Sequence, residues 1–108
     1  MRIELDTIMD LKPLRRPLMA LDLGDKRIGL ALSDQSWMIA SPLDFITHQK
    51  FTISATLIHE LYEHHKACAL VIGLPKNMDG TSGPRAQSIQ DFGLNFQKLY
   101  PDIPYIFW

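Results

Sequence analysis

Asp22 is the first residue that invites a chemical reading. It interrupts the apolar run Leu18-Met19-Ala20-Leu21-Asp22-Leu23. A carboxylate in such a run is expected near the middle of a sheet, where burying an unpaired charge is costly. A metal ion, a cation or hydrogen-bond donors would offset that cost. An Asp that closes the strand and caps the turn before Gly24 fits the same spacing equally well.

Two loops carry groups suited to phosphate. Gly24-Asp25-Lys26-Arg27-Ile28-Gly29 has two glycines at the separation of a phosphate loop. It lacks the following Lys-Ser/Thr and leads into a strand instead of a helix, which argues against a nucleotide P-loop. Lys26 and Arg27 read either as phosphate contacts or as solvated turn charges. The second loop runs from Gly73 to Arg85 and carries Lys76, Asn77, Gly80, Gly83 and Pro84. It leaves a strand and opens a helix, whose first N–H groups can face an anion. Lys76 and Arg85 add positive charge, and the loop exceeds the roughly 2–6 residues of a plain strand–helix connection.

The remaining polar groups carry less. His48, His59, His64 and His65 show no metal-binding spacing and read as surface or helix-end residues. Glu60 and Glu63 read as solvated helix charges. Met38 and Met78 are expected to pack rather than to bind. Phe92 and Phe96 fall on an apolar helix face and are expected in the core. Cys68 lies in an apolar run with no activating neighbour and reads as a small buried hydrophobe.

The elements that position these groups follow from periodicity. Strands are expected over 18–23, 27–33, 38–42, 69–74 and 105–108, and helices over 51–65 and 84–100. The face 53, 57, 58, 61 and 62 should bury the first helix, and 89, 92, 96, 99 and 100 the second. Pro42 suits a strand end or a sheet edge. Residues 1–17, with Ile8, Leu11 and Leu14 at helical spacing before Pro17, read as a short docked helical turn or an N-terminal arm. The order is βββ-α-β-α-β, an α/β mixed sheet with helices on its faces. Right-handed crossovers make strands 18–23, 69–74 and 105–108 parallel. Their carboxyl ends then share one edge, where open α/β sheets bind ligands. Asp22, the loop 76–80 and Trp108 should form one cleft there.

Composition limits the classes of function. The chain has 108 residues, 46% hydrophobic and 21% charged, which is ordinary for one globular domain. Eleven Lys and Arg against 12 Asp and Glu give a formal charge of −1. That excludes a strongly basic nucleic-acid coat while allowing a local basic patch. The single cysteine cannot form an internal disulfide and fits a reducing cytoplasm. No apolar run is long enough to span a membrane.

Four segments together resemble the YqgF/RuvX family. They are Ala20-Leu21-Asp22-Leu23-Gly24-Asp25-Lys26-Arg27-Ile28-Gly29-Leu30-Ala31-Leu32-Ser33-Asp34, Ala40-Ser41-Pro42-Leu43, Val71-Ile72-Gly73-Leu74-Pro75-Lys76-Asn77-Met78-Asp79-Gly80 and Gly83-Pro84-Arg85-Ala86. The family comprises Holliday-junction-resolvase-like proteins, candidate nucleases that mature the 5′ end of precursor 16S ribosomal RNA. The resemblance covers residues 18–108 and implies a ribonuclease H-like fold. It implies that Asp22 is a catalytic carboxylate holding Mg²⁺ or Mn²⁺. It also implies substrate contacts from Lys26, Arg27, Lys76, Asn77 and Arg85, with precursor ribosomal RNA or other structured nucleic acid, and ribosomal particles, as partners.

The family continues past Trp108 into an Asp-Glu-Arg-Leu-(Ser/Thr)-Thr motif and a helix that bring further acids. The domain is therefore expected to be incomplete at its C-terminus, and this chain to bind the ion weakly and to be inactive alone. Two other readings stand beside the nuclease. One is a non-cleaving RNA- or ribosome-binding module. The other is a fragment of an actin-like or sugar-kinase ATPase, which also starts with an Asp-x-Gly hairpin.

Overall fold

The computed structural model describes residues 1–75 and 83–108. Its elements are α1 (Leu5–Met9), a 3-10 turn (Lys12–Leu14), β1 (Leu18–Leu23), β2 (Arg27–Ser33), β3 (Ala40–Thr47), α2 (Phe51–His64), β4 (Ala69–Ile72), α3 (Pro84–Leu99) and β5 (Tyr105–Phe107). The sheet order is β3-β2-β1-β4-β5. β1 is antiparallel to β2 and parallel to β4, and β4 is parallel to β5, as the crossover argument requires.

β1 alternates rather than burying both faces. Met19, Leu21 and Leu23 are buried, whereas Asp22 is exposed. The turn after it depends on Gly24, whose N–H donates to the Arg27 carbonyl at 2.9 Å. A Cβ at Gly24 would stand 2.8 Å from that oxygen, so only glycine fits.

The third strand differs from expectation. It spans Ala40–Thr47 instead of 38–42. The Asp34 carboxylate accepts from the Met38 and Ile39 N–H groups at 2.8 and 3.1 Å and from the Ser36 hydroxyl at 2.6 Å. These bonds engage the donors at 38 and 39 within a turn, so the strand begins later. Met38 consequently projects from that turn and is 82% exposed, contrary to the packing role expected of it. Pro42 sits in an edge strand beside a register shift, a place that tolerates its missing N–H.

Both long helices pack on one face. Two right-handed crossovers advancing the same way across the sheet, β3–α2–β4 and β4–α3–β5, must share a side. Met19, Leu21, Ile28, Leu30, Leu70, Ile72 and Tyr105 meet Ile58, Tyr62, Ile89, Phe92 and Phe96 there. Ser54 and Ala55 complete the buried stripe of α2 and leave Ile53 exposed. In α3, Gly93 is buried and Leu99 is exposed. A Cβ at Gly93 would stand 2.9 Å from Phe107 and 3.0 Å from Tyr105, so glycine sets how closely α3 approaches β5.

The other face is covered only in part. Ile8 of α1, 2% exposed, packs on Ala69 and Ile106, with Leu18, Val71 and Trp37 around them. Residues 1–3 run parallel to β5: Ile3 N–H donates to the Tyr105 carbonyl, and Tyr105 N–H to that of Met1, each at 2.8 Å. The carboxyl end of this face carries no described helix.

Candidate functional site

At that uncovered end the strand register builds one cross-strand row. Asp22 pairs with Gly29, and Gly29 with Phe45. On the other side, Leu21 pairs with Ile72 and Ile72 with Phe107, which brings Gly73 beside Asp22 and Trp108 beside Gly73. The Gly73 N–H donates to the Leu21 carbonyl at 3.0 Å, and the Leu74 N–H to the Trp108 carbonyl at 2.8 Å. The row therefore reads Phe45, Gly29, Asp22, Gly73, Trp108. These five residues, with Ala20, Ala31, Pro42, Asp44 and Val71, line a cavity of about 340 Å³.

A second cavity of about 350 Å³ shares Asp22, Gly73 and Trp108 and adds Leu74, Pro75 and Arg85. The two make one trough that turns the corner of the sheet's carboxyl edge. Asp22, Arg85 and the chain's last residue are thus brought together at the expected edge.

Asp22 is solvated, which corrects the expectation of a buried charge. Its neighbours on the row are glycines. Arg85, in the first turn of α3, donates from Nη2 to the Leu23 carbonyl at 3.0 Å. Its Nη1 stands 3.5 Å from Asp25 Oδ1, with both side chains well exposed. Arg27 is exposed, its guanidinium carbon 6.0 Å from the Phe45 ring centroid. Lys26 is exposed in the turn. Lys76, Asn77 and Met78 and the loop 76–80 lie outside the described residues.

The histidines do not converge. His48 lines a cavity with Asp25, Arg85 and Ser88, while His59 stacks on Tyr100 at 4.0 Å and stands 3.5 Å from Glu63. Burial pushes the Cys68 thiol up from its ordinary value, away from thiolate chemistry. Phe92 and Phe96 are buried, as expected. Among the described residues no helix is long and apolar enough to cross a membrane.

Mg²⁺ and Mn²⁺ favour several oxygen ligands in a defined geometry. No group of three or more His, Cys, Asp and Glu capable of holding a metal occurs among the described residues. Asp22 and Asp44 line the same cavity, two carboxylates where a pair of such ions calls for a larger oxygen ligand set. The described residues alone therefore do not fit that group.

Asp44 and Phe45 are functional candidates that the sequence reading passed over, because it ended β3 at Pro42. The alternation Leu43-Asp44-Phe45-Ile46-Thr47 is the signal that could have found them.

Comparisons with known proteins agree with this architecture. The family model described as "RuvX: Holliday junction resolvase" matches residues 16–108. A protein named "Putative pre-16S rRNA nuclease" from Phenylobacterium zucineum (strain HLK1) is 45% identical over 106 residues, 98% of this chain and 68% of its own length. One with the same name from Caulobacter sp. (strain K31) is 47% identical over 92 residues, 85% of this chain and 56% of its own. The chain thus spans between about half and two thirds of these relatives. Among solved structures, T. thermophilus RuvC in complex with a Holliday junction substrate aligns with a TM-score of 0.60 at 10% identity, over 86% of this chain and 64% of that one. At that identity the likeness establishes the fold alone, a ribonuclease H-like mixed sheet.

Proposed function

The chain belongs to the RuvX family, and from that premise we propose that it contributes the acidic centre of a nuclease that hydrolyses phosphodiester bonds in precursor 16S ribosomal RNA. The observation carrying this reading is the trough at the sheet's carboxyl edge, with Asp22 at its centre and Arg85 at its rim. In such a hydrolysis a water oxygen bonds to phosphorus, the bond from phosphorus to one sugar oxygen breaks, and the proton that the water gives up ends, by way of solvent, on that departing oxygen. Asp22, exposed between Gly29 and Gly73, lines both arms of the trough, where the phosphate and the water would meet it. Its carboxylate orients the water and accepts its hydrogen bond. Arg85 uses part of its donor fork on Leu23 and Asp25, and the remaining donors suit a phosphate oxygen. Lys26, Arg27, Lys76 and Asn77 complete the proposed substrate contacts.

The Mg²⁺ or Mn²⁺ implied by the resemblance would find one carboxylate at the centre of the row and a second in the cavity wall, less than a full ligand set. A second reading uses the same trough, a module that binds RNA or ribosomal particles in the cytoplasm without cutting. One experiment separates the two. End-labelled precursor 16S leader RNA is incubated with the chain and with Asp22→Asn, with and without each ion. Cleavage lost in Asp22→Asn establishes the nuclease. Retention of RNA without cleavage under either ion establishes the binding module.

A further inference from the structure

We propose that a nucleic-acid strand meeting Asp22 leaves the trough past Arg85 and continues into a second cavity on the helical face of the sheet, where His48 and its flanking lysines hold the following phosphates. This deepens the nucleic-acid reading above and rests on it.

That second cavity, about 340 Å³, is lined by Asp25, His48, Arg85 and Ser88 together with Leu23 and Ile89. Leu23, Arg85 and Ile89 also line the arm of the trough that holds Asp22, so the two spaces adjoin at the corner of the sheet. Arg85 stands at the divide, with Nη2 on the Leu23 carbonyl at 3.0 Å and Nη1 3.5 Å from Asp25 Oδ1. Main-chain bonds tie the rest of the corner together. His48, the first residue after β3, donates its N–H to the Lys26 carbonyl at 2.8 Å, and Lys50 stands at the start of α2. Lys26, His48 and Lys50 are all exposed. His48 Nδ1 lies 3.2 Å from the Gln49 carbonyl oxygen. A carbonyl only accepts, so a hydrogen on Nδ1 satisfies that contact and leaves Nε2 to take the proton that makes the ring a cation.

Charge gives the strand its direction. The trough's end at β3 carries one acid and one cation, Asp44 and Arg27. The corner carries Arg85, Lys26 and Lys50, with Asp25 as the acid among the residues lining its cavity. His48 adds a further positive charge when protonated. A chain of formal charge −1 has no general attraction for a polyanion, so a local excess of this kind decides the path. A strand leaving Asp22 is drawn round the corner, where successive phosphates meet Arg85 and then His48.

Anisotropy of two labelled oligouridylates in EDTA tests this, one of about four nucleotides for the trough alone and one of about twelve to reach the second cavity, both within the range of single-strand site sizes. From pH 8 to pH 6 the affinity for the longer strand should rise about threefold, because histidine is the one side chain at this corner whose ordinary titration lies in that interval. His48→Gln should abolish the rise. Ser88→Asp should weaken the longer strand about threefold and Ser88→Lys should tighten it about threefold, with little effect on the shorter one. Gln35→Asp and Gln35→Lys put the same charges in the exposed turn at the opposite end of β2 and should change neither. Melting temperatures should match the parent throughout. A pH response kept by His48→Gln, equal effects on the two lengths, or Gln35 variants that match those at Ser88 would overturn the track, as would absence of binding to either strand. The nuclease reading is decided separately, by Asp22-dependent cleavage of leader RNA. Loss of that cleavage with the His48 and Ser88 effects intact upholds the track and removes the nuclease.

Discussion

Arg85 reaches from the first turn of α3 to the main chain of β1, donating to the Leu23 carbonyl oxygen at 3.0 Å, one residue past Asp22. The contact joins the helix that follows the second loop to the strand that carries the acidic centre. Without it the mutual position of Asp22 and the α3 start would rest on apolar packing around Ile89.

Arg85→Ala should therefore act on both structure and binding. The exposed pair with Asp25 contributes little, about 0–1 kcal/mol. The bond to Leu23 accounts for about 1 kcal/mol more, since it is only part-buried. Urea denaturation should show a loss of about 1 kcal/mol in total. If Arg85 also meets a phosphate, the slope of log affinity for RNA against log salt should fall by about one unit. Arg85→Lys should recover the slope but not the stability, because an ammonium lacks the planar fork. An unchanged slope in Arg85→Ala would confine the residue to the structural role.

The N-terminal segment predicts a different loss. Ile8 is buried on Ala69 and Ile106, and residues 1–3 cover the outer edge of β5. Ile8→Ala should cost about 2 kcal/mol in chemical denaturation, the low end for such truncations because the cluster is small. Removing residues 1–17 should cost more and expose an unpaired strand edge, which invites association. Size-exclusion chromatography of the shortened chain should show larger species. A monomer as stable as the parent would mean that this segment holds nothing in place.

How much of this was legible in the sequence differs from element to element. β1, β2 and both long helices follow from periodicity and from Gly24, Pro75 and Pro84, because local pattern and tertiary packing agree there. β3 was misplaced because the Asp34 side chain competes for the Met38 and Ile39 N–H groups, and an Asx turn of this kind leaves only a weak trace in hydropathy. The edge position of Asp22 was legible from the crossover rule. Its exposure was not, since Leu-Asp-Leu reads alike whether one face of the strand is covered or both. Neither Phe45 nor its alignment with Trp108 could be read without the register of five strands.

Asp34 gives an acid-range prediction. The Ser36 hydroxyl, and after it the Ile39 N–H, hold its carboxyl at about 2, below the ordinary 3.8. A folded-state value below the unfolded one means stability that is present above the unfolded value. It is lost as pH falls from about 4 through 2. The melting temperature of the parent should therefore drop more steeply across that window than that of Asp34→Ala. NMR titration of the side-chain carboxyl should report the low midpoint directly. Parallel curves for the two proteins would contradict the assignment.

Asp22→Asn makes the sharpest use of the open row. A buried, unpaired carboxylate would be relieved by the amide, and the variant would melt higher. Asp22 is instead solvated between two glycines, so its melting temperature should stay within about 0.5 kcal/mol equivalent of the parent, the ordinary range for surface changes. Binding should change in the opposite sense to catalysis. A phosphate crossing the row places its charge near the carboxylate, and two like charges roughly 6 Å apart in water repel by about 0.7 kcal/mol. In EDTA at low salt the variant should bind single-stranded RNA up to about threefold more tightly, with the gain fading as salt screens it. Any cleavage supported by Mg²⁺ or Mn²⁺ should disappear in the same variant. A variant that melts well above the parent would show that the carboxylate is desolvated after all. One that binds RNA less tightly in EDTA would show that the backbone does not pass beside Asp22.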